Sequence, residues 1–290
     1  MKIGYPCINN SLPCTTNSTF RLRNYSEARL IETIKNNLSC LNKILEYNQK
    51  NNLLFFRISS DLIPFASHPI CKFDWKKHFK KEFVEIGNFI KKYKMRISMH
   101  PDQFTLINAK DPDIVKRSIA ELDYHCEVLD AMGLDTTAKI QIHIGGVYGD
   151  KEKSIKRFVS NYKKLPLKIK RRLVIENDHL SYSLKNCLSI SKECGIPIIF
   201  DSFHHECLNN GETFNESANL AAKTWRKKDG QLMVDYSSQQ PGKRNGTHAQ
   251  TIDLKHFKRF IKETADFNFD LMLEIKDKEE SALKAIKVIK

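Results

Sequence analysis

Five short apolar segments of this sequence each run directly into a histidine or a carboxylate. Imidazole nitrogens and carboxylate oxygens are the ligands that divalent metal ions take in hydrolytic sites. A pair of such ions can clamp the attacking and leaving oxygens of a phosphodiester. If the segments are neighbouring strands, their ends meet in one pocket, and the pattern predicts a multi-metal hydrolytic site. The five residues are His100, His143, Glu176, Asp201 and Glu274.

Three further residues extend this candidate metal site. His204 follows Asp201 by three residues, so the two side chains can turn to the same side and serve neighbouring ions. Asp235 ends another apolar segment, and His248 in a later loop can bind an ion or a phosphate. Glu176 has two carboxylate oxygens and can bridge two ions.

Two loops carry side chains suited to nucleic acid. Segment 240–248 is basic and glycine-rich, and its Lys243 and Arg244 can contact phosphates. Gln103 and Phe104 follow the strand that ends at His100. An exposed aromatic side chain there can wedge into a base stack, and an amide can bond base edges. Ordinary loop packing is the alternative for this pair.

The apolar segments alternate with segments of helical periodicity, which predicts eight βα units in one α/β (β/α)8 TIM barrel. That fold gathers its strand C-termini at the face that holds the active site. No linker divides the chain, so we expect a single domain over residues 1–290. The predicted strands are 2–5, 53–58, 96–99, 139–144, 173–175, 196–200, 232–236 and 271–275, and the predicted helices are 25–49, 75–93, 112–132, 151–163, 181–194, 214–226, 253–266 and 279–289.

Composition narrows the class of protein. The 290 residues carry a formal net charge of +14, which favours a polyanionic partner, most simply nucleic acid, although a lysine-rich proteome would give the same charge. There is no long apolar stretch and no signal peptide, so we expect a soluble, intracellular protein. The eight cysteines form no Cys-x-x-Cys pair, and we expect all of them to be reduced and structural.

Several motifs in order make the sequence resemble one known family over essentially its whole length. They are Gly4–Pro6, Arg57–Pro64, Ser98–Gln103, His143–Gly146, Glu176–Asp178, Asp201 with His204, Tyr236–Ser238, His248 and Glu274. Together they resemble the ultraviolet damage endonuclease family. The resemblance implies a TIM barrel related to the metal-dependent abasic-site endonucleases. It also implies an activity that nicks DNA immediately 5′ of ultraviolet photoproducts, with manganese or similar divalent ions.

The resemblance also implies a role for each candidate residue. The first ion would be held by His100, His143 and a bridging Glu176, the second by Asp201, Asp235 and Glu274, and the third by His204 and His248. Gln103 and Phe104 match a pair that probes the DNA opposite the lesion, Tyr5 and Asn9 match residues near the damaged bases, and His68 matches a histidine close to the reaction centre. Glu176 and His68 would be the catalytic residues.

Three positions depart from the pattern of some family members. Met233 and Asp235 stand where those members carry Lys-x-His with a modified lysine, so lysine modification cannot operate here. A carboxylate in place of the imidazole favours harder ions such as Mn²⁺ or Mg²⁺. Phe104 replaces a tyrosine and lacks its hydroxyl. We expect about two or three ions per chain, with Mn²⁺ first and Mg²⁺, Co²⁺ or Zn²⁺ as alternatives.

Two other functions compete with a repair endonuclease. A sugar isomerase or epimerase on a similar barrel also uses histidines, carboxylates and divalent ions, but it needs neither the charge of +14 nor the Gln103–Phe104 pair. A nucleic-acid-binding protein without catalysis would leave the metal-type side chains unused. The expected partner is damaged double-stranded DNA, bound by a monomer with no membrane association. We expect this to occur in the cytoplasm at the nucleoid, or in the nucleus of a eukaryote.

Overall fold

The computed structural model describes residues 1–289, which form a closed barrel of eight parallel strands. Neighbours in the barrel are neighbours in sequence, and the first strand also pairs with the eighth. The predicted TIM barrel is therefore confirmed. The strands are β1 Ile3–Pro6, β2 Phe55–Ile58, β3 Arg96–Met99, β4 Lys139–His143, β5 Leu173–Glu176, β6 Ile198–Asp201, β7 Leu232–Tyr236 and β8 Phe269–Leu273.

Helices connect the strands and cover the outside of the barrel. They are α1 Glu27–Lys50, α2 Trp75–His78, α3 Lys80–Lys92, α4 Pro112–Ala131, α5 Lys151–Lys164, α6 Leu167–Arg172, α7 Leu184–Cys194, α8 Ser202–Cys207, α9 Phe214–Ala222, α10 Leu254–Glu263 and α11 Glu279–Ile289. The helix predicted over 75–93 is divided at Phe79, and α6 and α8 were not predicted as separate helices. Within residues 1–289, no helix has both the length and the apolar composition that a membrane span requires.

The barrel interior holds an apolar layer with a polar layer directly above it. The apolar layer consists of Phe55, Val174, Ile199, Met233 and Met272. Alternate residues of a strand point to the same side, so the residues two positions later also face inward. Those residues are Arg57, Glu176, Asp201, Asp235 and Glu274. Met233 therefore fills the apolar layer, and β7 supplies the polar layer with a carboxylate.

Helix α8 explains how Asp201 and His204 come to the same side. Asp201 ends β6 and is the N-cap of α8, where its Oδ1 accepts a hydrogen bond from the His204 backbone N–H at 2.7 Å. An N-cap carboxylate satisfies a free N–H of the first helical turn and lies favourably in the helix dipole. The His204 side chain consequently starts one turn beyond the strand end, beside the Asp201 carboxylate.

The prediction that all eight cysteines are reduced is wrong for two of them. A disulfide joins Cys14, in the loop after β1, to Cys40 in α1. The loop folds back over the helix and brings the two Cα atoms to 5.8 Å, a separation that a disulfide can bridge. The pairing spans 26 positions of sequence and depends on the path of this loop, so spacing alone could not indicate it. The other six cysteines are free thiols.

Candidate metal centre and DNA-facing rim

Two sets of metal-type side chains meet at the C-terminal ends of the strands and share Glu176. One set is His100, His143 and Glu176, and the other is Glu176, Asp201 and His204; in each, the ligand atoms lie within 4.8 Å of one another. The strand register produces this arrangement, because His143 is paired with Glu176 across β4 and β5. Imidazoles approach both oxygens of Glu176, with His100 Nε2 3.5 Å from Oε2 and His204 Nδ1 3.3 Å from Oε1. This geometry suits a carboxylate that bridges two ions.

The charge balance around Glu176 keeps its carboxylate ionised. Burial alone would raise the pKa of Glu176, but His143, His100 and His204 together hold that pKa well below its usual value. For the His204 imidazole, burial would lower the pKa, but the carboxylates of Asp201 and Glu176 outweigh burial and raise the pKa of His204 to about 11. A buried site with this much negative charge attracts cations strongly.

A buried arginine lies beside the two ligand sets. Arg57 Nη2 donates hydrogen bonds to Asp235 Oδ2 and Gln141 Oε1, each at 2.7 Å, while Nη1 donates to Glu274 Oε1. Gln141 Nε2 in turn donates to Asp235 Oδ2 at 2.7 Å and to Glu176 Oε2. Burial raises the pKa of Asp235 to about 7 even with the guanidinium beside it. For Glu274, Arg57 outweighs burial and lowers the pKa to about 2.

Asp235 and Glu274 thus belong to neither of the two compact ligand sets, although Asp235 shares a hydrogen-bond donor with Glu176. The resemblance groups them with Asp201 around one ion, whereas the structure pairs each of them with Arg57 through one oxygen. Each keeps its other oxygen. Asp235 Oδ1 is buried and has no hydrogen-bond partner, and Glu274 Oε2 lies 3.9 Å from His248 Nδ1.

The chemistry of the donor set fits divalent metal ions. Asp201 Oδ2 and Asp235 Oδ1 are buried without a hydrogen-bond partner, a costly state that a coordinated cation would relieve. His100 Nδ1 donates to the Pro101 carbonyl at 2.7 Å, and His248 Nδ1 donates to the Glu274 carbonyl at 2.8 Å. Because a carbonyl only accepts, Nδ1 carries the proton in both rings and Nε2 keeps its lone pair for an ion. Imidazole ligands suit ions such as Zn²⁺ and carboxylate ligands suit harder ions such as Mn²⁺, so this mixed donor set accommodates a divalent ion of either kind.

A cavity of about 480 Å³ opens above these ligands, and the Gln103–Phe104 pair reaches it through Gln103. Gln103 lines the cavity, as do His100, His143, His204, His248 and Glu274. Phe104 is 73% exposed, which is unusual for a large apolar side chain. Its backbone N–H donates to Asp102 Oδ1 at 2.8 Å, so the ring projects from an ordered turn. Both residues are therefore placed where a bound duplex could reach them.

The basic loop after β7 is a hairpin-like structure that reaches the cavity at His248. Gln239 and His248 form an antiparallel bridge, and the Gln239 side chain donates to the carbonyls of Lys243 and Arg244 at 3.2 and 3.0 Å. The side chains of Lys243 and Arg244 are exposed at its tip. This arrangement leaves their charges free for phosphates.

Three predicted residues are not brought to the cavity. Tyr5 is fully buried, with its hydroxyl donating to Asn48 Oδ1 at 2.6 Å and accepting from Asn9 Nδ2 at 2.7 Å. Asn9 is also buried, so contact of either side chain with damaged bases requires the loop after β1 to move. His68 is exposed on the loop after β2, and its Nδ1 accepts from the Ile70 backbone N–H at 3.1 Å. It does not line the cavity.

The comparisons with known proteins decide the family. The family described as UV-endonuclease UvdE matches residues 1–290 of the chain. The chain belongs to this family. A UV DNA damage endonuclease of Clostridium perfringens (strain 13 / Type A) is 44% identical over 292 residues, covering 100% of this chain and 71% of that protein. One from Bacillus thuringiensis subsp. konkukian (strain 97-27) is 38% identical over 262 residues, covering 90% of this chain and 83% of the relative.

A solved structure agrees with this membership of the UvdE family. The crystal structure of SacUVDE superimposes with a TM-score of 0.96 and 47% identity, covering 100% of this chain and 98% of that one. The D-psicose 3-epimerase of Clostridium cellulolyticum H10 superimposes with a TM-score of 0.55 and 12% identity over 84% of this chain and 91% of that one. That second likeness is one of fold alone. The sugar isomerase or epimerase alternative therefore rests on the barrel and on nothing specific to this UvdE-family chain.

Sequence reasoning assigned no role to two residues at the centre of this UvdE-family site. Arg57 stood out only as part of a motif, and Gln141 did not stand out at all. A signal for both was present, because Arg57 follows the apolar-layer residue Phe55 by two positions and Gln141 precedes His143 by two. A period of two places both side chains inside the barrel.

Proposed function

We propose that the protein is a DNA repair endonuclease that nicks duplex DNA immediately 5′ of ultraviolet photoproducts. The observation that carries this proposal is the bridging position of Glu176 between two ligand sets in a chain that matches the UvdE family over its whole length. The relatives named UV DNA damage endonuclease support the choice of substrate. The net charge of +14 supports a polyanionic partner.

His100, His143, Glu176, Asp201 and His204 would hold the divalent ions, with the free oxygens of Asp235 and Glu274 and the Nε2 of His248 nearby. Such ions supply Lewis-acid stabilisation of the phosphodiester oxygens and a nucleophile at neutral pH. We propose Mn²⁺ as the working ion. The extra carboxylate at position 235 adds a hard oxygen donor close to the site, which favours Mn²⁺ or Mg²⁺ over softer ions.

The remaining residues would have different roles in positioning the ligands and in binding DNA. Arg57 and Gln141 donate hydrogen bonds to the carboxylates of Asp235, Glu274 and Glu176 and so position them for the ions. Lys243 and Arg244 would contact DNA phosphates whatever the base sequence and whether or not a lesion is present, because contacts to the DNA backbone carry no base information. Phe104 and Gln103 would enter the stack at a damaged step, which costs less to open than an intact one.

We expect the chain to act as a monomer. We also expect it to be located with the DNA, which in a bacterial cell is at the nucleoid. The decisive experiment uses a 5′-labelled duplex with one cyclobutane pyrimidine dimer at a known position. The proposal predicts one nick, immediately 5′ of the dimer, and no nick at that position in the undamaged duplex. Equal cutting of both duplexes, or no cutting, would refute it.

A further inference from the structure

The turn that follows β5 is fixed by its own hydrogen bonds. The Asp178 backbone N–H donates to the Tyr182 carbonyl at 2.9 Å. Asp178 Oδ1 accepts from the backbone N–H groups of Leu180, at 2.8 Å, and Ser181, and Oδ2 accepts from that of Tyr182 at 3.1 Å. The Tyr182 hydroxyl then donates to the Gly146 carbonyl at 3.0 Å, which ties the turn to the end of β4. The residues at the tip are thus held in one conformation by buried and half-buried partners.

This turn presents one large apolar side chain to solvent. Leu180 is 71% exposed, and among the exposed large apolar side chains of residues 1–289 only Phe104, at 73%, is more exposed. Leu180 lines the same cavity as Gln103, the neighbour of Phe104. An exposed leucine side chain forgoes the favourable free energy of apolar burial unless a binding partner covers it. One of these two exposed side chains therefore lines the cavity, and the other directly follows a residue that lines it.

The same turn also touches the basic loop. A Cβ added at Gly246 would lie 2.3 Å from the His179 ring, so the loop backbone rests directly against this imidazole. His179 in turn has its ring centroid 5.2 Å from that of His204, a member of the second ligand set. The Asp178–Tyr182 turn thus packs against both the basic loop and His204, and it carries the exposed Leu180.

We propose that the Asp178–Tyr182 turn is a second DNA-contacting arm of the cleft, in which Leu180, on the cavity that it shares with Gln103, packs against the opened step of a damaged duplex. The partner that we propose for this surface is damaged duplex DNA, so this inference rests on the proposed function. The basic loop beside the turn supplies the positive charge that brings a phosphate backbone to this rim. An apolar side chain gains burial against unstacked bases, and an intact duplex does not offer it that surface.

The test compares Leu180→Ala with Leu167→Ala. Leu167 is a matched control because it is 57% exposed and begins α6, which leads into the opposite end of β5. Single-turnover nicking at increasing protein concentration gives an apparent Kd for a duplex with one cyclobutane pyrimidine dimer. Competition by unlabelled intact duplex gives the Kd for undamaged DNA. Thermal melting and elemental analysis of bound metal check that each variant is folded and loaded.

Leu180→Ala is expected to weaken binding of the damaged duplex about tenfold, since three buried carbons are lost, and to leave the intact duplex within about twofold. Leu167→Ala is expected to change neither Kd. An unchanged Kd for the damaged duplex, or an equal loss for both duplexes, would overturn the role of Leu180 while the endonuclease function stands. A wild-type protein that neither nicks nor prefers the damaged duplex would instead overturn the proposed function, and the inference with it.

Discussion

Arg57 and Asp235 form a buried ion pair at the centre of the barrel, with Nη2 2.7 Å from Oδ2 and side chains that are 3% and 0% exposed. They lie on β2 and β7, so the pair spans the barrel interior. Glu274 shares the same guanidinium. The positive charge of Arg57 therefore offsets the negative charge of both carboxylates, and this allows them to lie close to Glu176.

Replacing Arg57 should destabilise the protein strongly. Arg57→Met leaves Asp235 and Glu274 without their cation, and breaking one side of a buried pair costs about 3–5 kcal/mol of unfolding free energy. Urea denaturation with EDTA present measures this without a contribution from ions. Arg117→Met, on the exposed side of α4, is the control and should stay within about 0.5 kcal/mol of wild type. A loss of under about 1 kcal/mol for Arg57→Met would show that the pair does not hold the site together.

Glu176→Gln should be the most damaging single change in the ligand sets. Glutamine keeps the shape but offers one neutral oxygen, so it could not bridge two ions as a carboxylate can. We expect fewer bound ions per chain by elemental analysis and nicking slowed well beyond tenfold. Glu193→Gln, exposed on α7, controls for the substitution itself. A rate for Glu176→Gln within about tenfold of wild type, or only about 1.4 kcal/mol, would mean that Glu176 is not the bridge.

The basic loop should contribute to affinity without contributing to damage recognition. Lys243→Ala with Arg244→Ala is expected to weaken binding of damaged and undamaged duplex alike. The slope of log Kd against log salt concentration should fall by about 2, one counterion for each lost phosphate contact. Lys227→Ala with Lys228→Ala, exposed at the opposite end of the barrel before β7, provides the matched control. A slope that stays at the wild-type value would place the DNA elsewhere.

The Gln103–Phe104 pair should carry much of the discrimination between damaged and intact DNA. Removing both side chains with Gln103→Ala and Phe104→Ala deletes a stacking surface worth about 1–3 kcal/mol and should lower the preference for a photoproduct accordingly. Bound metal should remain at the wild-type level, because neither side chain belongs to the ligand sets. Binding to both duplexes and metal content are measured on the same sample. Full retention of the preference would move recognition to Leu180, or to Tyr5, Asn9 and the loop around His68.

The sequence predicted the barrel and the residues at its strand ends for a simple physical reason. Parallel strands in a closed barrel end at one face, so the prediction of the strands also predicted that His100, His143 and Glu176 lie close together. The pairing of Arg57 with Asp235 was not predictable in the same way, because it depends on which side chains share a layer across the barrel. The burial of Tyr5 was also missed, since its partner Asn48 lies at the end of α1.

The most direct measurement of the whole account is nicking of a duplex with one defined photoproduct before and after exhaustive chelation. We expect the untreated protein to cut 5′ of the photoproduct, the chelated protein to be inactive, and Mn²⁺ to restore cutting, because the two ligand sets around Glu176 would hold the ions for this hydrolysis. Elemental analysis of the chelated sample establishes that its metal has been removed. Undiminished cutting by a metal-free sample would contradict the account.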